Sequence, residues 1–265
     1  MRRSLALAIG SLLCLAGCQT AKQQAPEATQ ETASTQPERL AKLAKEIEGR
    51  GEDGTALSLY ARAAAMPEAS ASVSVQAGDA YLRSGHVDEA VTAYKAALTK
   101  SPNNGSALLG LGSALVDSGD LDAGIRTLST AAPIVGTGRA YNRLGVAQTM
   151  AGQTEGAIGA FQQALKLTPG DVDVLSNLAL AAALQGDDAM ADQAVQQVNA
   201  SGKAQLFHKR NLVLVNGLLG RDEQMRSAAP PGLSSSEVNK ILAKARTIRS
   251  KSTLTAKAAA LGEMT

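Results

Sequence analysis

RAYNRLGVAQTMAGQTEGAIGAFQQALKLTPGD, residues 139–171, has a counterpart earlier in the chain, VSVQAGDAYLRSGHVDEAVTAYKAALTKSPNN, residues 73–104. Laid one beneath the other, Gly78 answers Gly145, Gly85 answers Gly152 and Ala90 answers Ala157. Tyr94 likewise answers Phe161, Ala97 answers Ala164 and Pro102 answers Pro169. Each correspondence has a mechanical reason in a pair of antiparallel helices. Gly78 and Gly145 keep the first helix thin where the second crosses it. Gly85 and Gly152, with Gly119 and Gly186 elsewhere, allow the tight turn between helices. Ala90 and Ala157 sit at close contacts, Tyr94 and Phe161 fill the space between pairs, and Pro102 and Pro169 stop the second helix.

This pattern is similar to the tetratricopeptide repeat, whose period is about 34 residues. The register extends both ways, to units at 37–70, 71–104, 105–137, 138–171, 172–205 and an incomplete 206–233. Gly51, Ala56, Tyr60 and Ala63 mark the first; Leu178, Gly186, Ala191 and Val195 mark the fifth. In the third, Gly124 and Leu128 replace the usual alanine and aromatic residue, and the sixth runs into Pro230-Pro231, which predicts a short second helix. Chance self-similarity of alanine-rich helical sequence is the competing explanation, but the constant spacing and the 2% aromatic content both favour close-packed repeats. The expected fold is an all-α tetratricopeptide-repeat solenoid, 37–233, followed by a C-terminal amphipathic capping helix, 234–249.

The cap is read from Ser234-Ser235-Ser236-Glu237, a serine with glutamate three residues on. Behind it Val238, Ile241, Leu242, Ala245 and Ile248 form one apolar face, while Lys240, Lys244, Arg246 and Arg249 lie elsewhere. A terminal repeat needs such a cover. A basic helix touching an acidic partner or lipid headgroups is the other reading, and the two are compatible. Residues 250–265 are expected to be a flexible tail.

The N-terminus reads differently. Arg2 and Arg3 precede a short apolar run, LALAIGSLLCL, and the small residues Ala16 and Gly17 lead to Cys18. That order describes a secretory signal, 1–17, too short for a transmembrane helix of about 20 residues. Leu15-Ala16-Gly17-Cys18 also resembles the lipobox of bacterial lipoproteins. The resemblance implies cleavage before Cys18, lipid attachment at its thiol and, with Gln19 rather than aspartate following, sorting to the outer membrane. An ordinary secretory signal with incidental cysteines is the alternative. Cys14 leaves with the signal, so one mature chain can form no disulfide. Residues 18–36 hold the lipidated cysteine and a tether without leucine, isoleucine, valine or aromatics, spanning roughly 20–25 Å.

Charge excludes little but nucleic acid. The 26 Lys+Arg stand against 24 Asp+Glu, and cleavage of the signal removes the two-arginine excess. No motif speaks for catalysis: there is no phosphate loop with lysine and no G-x-S-x-G turn. His86 and His208 are isolated, without neighbours at metal-ligand spacing, so no metal or cofactor is expected. Asp88-Glu89 begin a helix, where they complement its dipole.

Binding surface remains. In tetratricopeptide folds the first helices line a concave groove that holds partner segments. The resemblance assigns to it Val75, Asp79, Leu82 and Arg83, then Leu109, Ser113 and Val116. Asn142, Val146 and Met150 follow in the fourth unit, and Ser176, Leu180 and Leu184 in the fifth. The groove grows more apolar along the chain, so an apolar partner segment is expected, unless the last helix covers those residues. No small-molecule substrate is evident.

The assembly resembles the TadD-like lipoproteins of tight-adherence (Flp) pilus systems, through RLAKLAKEIEGRGEDGTALSLYARAA, YNRLGVAQTMAGQTEGAIGAFQQALKLTPGD and NLALAAALQGD. The resemblance implies a non-enzymatic, periplasm-facing accessory protein that helps a secretin or pilus machinery assemble, in the manner of a secretin pilotin. A general scaffold gathering envelope or peptidoglycan enzymes, and a cryptic enzyme, are the alternatives.

Overall fold

The computed structural model describes residues 35–262; the signal, the lipobox Leu15, Ala16 and Gly17, the attachment residue Cys18 and nearly all of the tether lie outside them. No strand occurs among the described residues, and no helix there is long and apolar enough to cross a membrane. The first helix, α1 (Gln36–Glu48), opens on a capping box between Thr35 and Glu38, with Pro37 in its first turn. It pairs with α2 (Asp53–Ala64). Then come α3 (Ala71–Arg83) with α4 (Val87–Lys100), α5 (Gly105–Asp117) with α6 (Leu121–Val135), and α7 (Gly138–Met150) with α8 (Thr154–Leu167). The fifth pair is α9 (Val172–Gln185) and α10 (Asp188–Ala200).

Small residues let these helices approach, and large ones fill what is left. A side-chain carbon at Gly145 would come within 2.6 Å of the Phe161 ring, and one at Gly78 within 2.7 Å of Tyr94. Leu128, 1% exposed, takes the aromatic place in the third pair, against Gly112. Gly85 adopts the left-handed backbone, φ 75°, that its turn requires. Asn104, Asp120, Thr137 and Asp171 each cap the helix that follows by accepting backbone N–H groups.

The regular stacking changes at α11 (Leu206–Leu218), which leans on α9 far more than on α10. Its intended partner α12 (Asp222–Ser227) has six residues, as Pro230-Pro231 foretell. The cover that α12 cannot give comes from α13 (Ser235–Arg249). Arg210, early in α11, pairs with Glu237, early in α13, and Arg249 donates to the Gly217 carbonyl at 2.8 Å near both ends. The two helices therefore run parallel. Val238, Leu242, Ala245 and Ile248 are all buried, on the face the sequence marks as apolar. Arg246 and Arg249 turn toward Asp222, so part of the basic face is spent within the chain.

Beyond α13 the structure departs from the expected flexible tail. Residues Leu254–Gly262 form α14, which returns to pack on α7 and α9. The Leu254–Thr255 backbone presses on Gly152, Lys257 donates to the Leu184 carbonyl at 3.3 Å, and Ala258 and Ala260 are buried. Thr253 caps the helix by accepting the Ala256 N–H at 3.1 Å, but one threonine before a short alanine-rich stretch is a weak local signal. Its order comes from the tertiary contact.

Candidate functional site

The first helices of successive units bring their inner faces together, and two clefts open there. One, of about 420 Å3, lies between α3, α5 and α7 and is lined by Asp79, Leu82, Arg83, Leu109 and Ser113 among others. The next, of about 560 Å3, lies between α7, α9 and α11 and includes Asn142, Val146 and Ser176. Arg139 and Arg143 border both.

Of the residues assigned to the groove from sequence, those eight line the clefts. Val75 and Val116 are half-buried and pack into the core between helices instead. The expected apolar end is corrected more sharply. Leu184 is 2% exposed, and Leu180 and Val146 pack with Ala245, Ile248, Ala260 and Leu261 of the two last helices. Leu184 is covered by the chain itself and Leu180 partly so, since leaving them in water would forfeit about 25 cal/mol per Å2 of burial, whereas Val146 is half-buried and still lines the second cleft. Met150 stays exposed but outside both clefts. What remains open is mixed: Leu82 and Leu109 line the first cleft and Val146, Val174 and Phe207 the second, beside the polar side chains.

Polar groups in the open part are held in fixed positions. The Tyr94 hydroxyl donates to Asp79 at 2.6 Å, and burial together with that carboxylate pushes the phenol far above its ordinary pKa. Arg83 pairs with Glu48 of the first unit. Asn177 donates to Asn142 at 3.1 Å and Asn211 to Ser176 at 3.3 Å, tying α7, α9 and α11 together. His208, 3% exposed, accepts the Gln205 N–H at Nδ1, so its proton sits on Nε2 and points to Asp173 at 2.6 Å. It caps α11 and binds it to α9; His86 is exposed beside Tyr81.

The sequence reading missed Arg139, Arg143, Asn177, Asn211 and Asp173. A spacing of about one repeat between Asn142, Asn177 and Asn211 was the available signal. Among the described residues no group of three or more His, Cys, Asp or Glu side chains could hold a metal ion.

Comparison with known proteins agrees with this geometry. Residues 75–138 and 138–171 match family models described as tetratricopeptide repeat. The fold is a tetratricopeptide-repeat solenoid, and the protein is an interaction scaffold of that kind. Among solved structures it is similar to MamA of Desulfovibrio magneticus RS-1, with 22% identity and a TM-score of 0.59 over 65% of this chain and 98% of that one. It is also similar to pilF of Pseudomonas aeruginosa, with 16% identity and a TM-score of 0.61 over 78% of this chain and 97% of that one. At these identities the likeness is one of fold. No curated protein matches the chain.

Proposed function

We propose that this protein is a non-enzymatic outer-membrane lipoprotein, anchored through Cys18 and facing the periplasm, that receives a partner segment on its concave face. The partner belongs to a Tad/Flp pilus apparatus, and the protein assists its assembly much as a pilotin assists a secretin. One observation carries the binding part: the inner face between α7, α9 and α11 stays open, with hydrogen-bonded Asn142, Asn177, Ser176 and Asn211 beside Val146 and Phe207, while Leu184 nearby is buried. The lipobox-like residues and the TadD-like resemblance support the anchor and the setting. The fold shared with pilF is compatible with them.

The test uses cells carrying the full chain. Arg139→Glu with Arg143→Glu should leave the protein folded and lipidated, yet remove a cross-linked envelope partner from pull-downs and reduce surface pili. Normal piliation and normal partner recovery would refute the proposal.

A further inference from the structure

Each antiparallel helix pair has two ends, and along the stack these form two edges that differ in charge. At one edge lie the turns within units, where second helices begin. Asp53 opens α2, Asp88 and Glu89 lie in the first turn of α4, and Asp122, Glu155 and Asp188 in those of α6, α8 and α10. At the other edge lie the turns between units, where second helices end and first helices begin. A side-chain carbon at Gly105, the start of α5, would meet Ile134 near the end of α6, and one at Gly138, the start of α7, would meet Thr168 just beyond α8. No acidic residue stands in the first turn of α3, α5, α7 or α11. The helix dipole favours a carboxylate at every helix N-terminus, so it does not explain why they gather along one edge.

The edge between units carries apolar and basic side chains instead. Ile134 and Leu167 hold corresponding places in successive units, and Leu206 opens α11; all three are at least 40% exposed. Lys100 and Lys166, in the last turns of α4 and α8, and Lys203, just before α11, are exposed and take part in none of the ion pairs among the described residues. Three carboxylates near them are engaged: Asp171 by backbone N–H groups of α9, Asp173 by His208 and Glu237 by Arg210. Glu38 and Glu68 belong to the first unit. α1 also begins at this edge, so the chain outside the described residues joins the fold here, at Thr35. Residues 19–34 separate that point from Cys18, so an anchor at Cys18 draws this edge toward the bilayer before any other part of the fold.

We infer that the edge between units rests on the membrane surface, with Ile134, Leu167 and Leu206 at the boundary of headgroups and acyl chains and Lys100, Lys166 and Lys203 on anionic phospholipid headgroups. This rests on the lipid anchor proposed above and adds the orientation in which the anchor holds the solenoid. Apolar side chains flanked by lysines gain from both parts of a lipid interface. The carboxylates of the opposite edge are repelled by the same surface and face away. Attraction to headgroups fades within about 8 Å at physiological salt, so the contact depends on the anchor to bring the edge close. Once tethered, even a weak contact is populated, because the anchor supplies a high effective concentration.

Fluorophores at the two ends of α8 test it. With Cys14 removed and Cys18 blocked by lipid, an introduced cysteine is the one free thiol of the mature chain. Thr168→Cys and Gln153→Cys place it just beyond either end of α8. Each labelled, lipidated protein is reconstituted in phosphatidylethanolamine–phosphatidylglycerol vesicles that contain a nitroxide lipid. Quenching at position 168 should exceed that at 153 severalfold, and replacing phosphatidylglycerol by phosphatidylcholine, or adding salt, should shrink the difference. Lys100→Glu with Lys166→Glu and Lys203→Glu should abolish it, as should Ile134→Ser with Leu167→Ser. Circular dichroism confirms folding of each variant. Equal quenching at the two positions, stronger quenching at 153, or an unchanged triple glutamate variant overturns the inference. So does salt-sensitive self-association with quenching indifferent to lipid charge, which would give the basic edge to the acidic edge of a second copy. Loss of flotation with the vesicles defeats the anchor and this inference with it, whereas flotation with equal quenching defeats this inference alone.

Discussion

Tyr94 lies between Gly78 of its own unit and Gly110 of the next, and a side-chain carbon on either would enter its ring. The ring is fully buried and cannot swing aside. Gly145 faces Phe161 in the same way. Gly145→Leu should therefore cost roughly 1–3 kcal/mol or more through overpacking, read as a lower melting temperature by circular dichroism. Gly85 is a different case: nothing lies near its missing side chain, and only its backbone at φ 75° objects. Gly85→Ala should cost about 1–2 kcal/mol, the left-handed penalty alone, without disturbing Tyr94. At the N-terminus, Cys18→Ser should abolish labelling by radioactive palmitate. Persistent labelling would defeat the lipoprotein reading.

α13 and α14 are held by different forces. The start of α13 is electrostatic: Arg210 donates to the Glu237 carboxylate, and the Ser234 backbone and hydroxyl add to it. Together they hold the Glu237 pKa down from 4.5 to about 2. Because the folded value is the lower, this support is complete above pH 4.5 and is lost as pH falls through about 2. Arg210→Ala should raise the midpoint, followed as the Glu237 carboxyl resonance in an NMR titration. By contrast, α14 is held chiefly by burial of Ala258, Ala260 and the apolar positions beneath it. Ending the chain after Ser252 should expose Leu180 and Leu184, lower the melting temperature and increase binding of a hydrophobic dye. Unchanged melting and dye binding would mean that α14 contributes nothing to that cover.

Across the whole molecule, each unit touches mainly its neighbours, so stability is expected to sum along the stack and to fray from its ends. The C-terminal end is closed twice, by α13 against α11 and by α14 against α7 and α9. Hydrogen exchange should consequently be slowest in α9, whose helix carries an almost continuous run of buried residues, and faster in α1. Equal protection of the two helices would contradict a nearest-neighbour stack. The same arrangement divides the concave face, burying Leu184 and leaving the two clefts available to a partner.

The paired segments 73–104 and 139–171 were enough to determine the helices, their turns and the all-α solenoid, because glycine, alanine and aromatic positions recur at the spacing set by local helix geometry. Ser234 and Glu237 likewise announced α13, since a cap is a contact between near neighbours in the chain. The identity of the open groove was not legible in this way. Leu180 and Leu184 read as binding residues until α14, distant in sequence and weak in pattern, covered them. Arg139 and Arg143 carried no signal in the sequence, and only the fold sets them at the border of both clefts. Periodicity records which face of a helix turns inward; which inward faces stay open depends on contacts between residues far apart in the chain, and only the tertiary structure decides them.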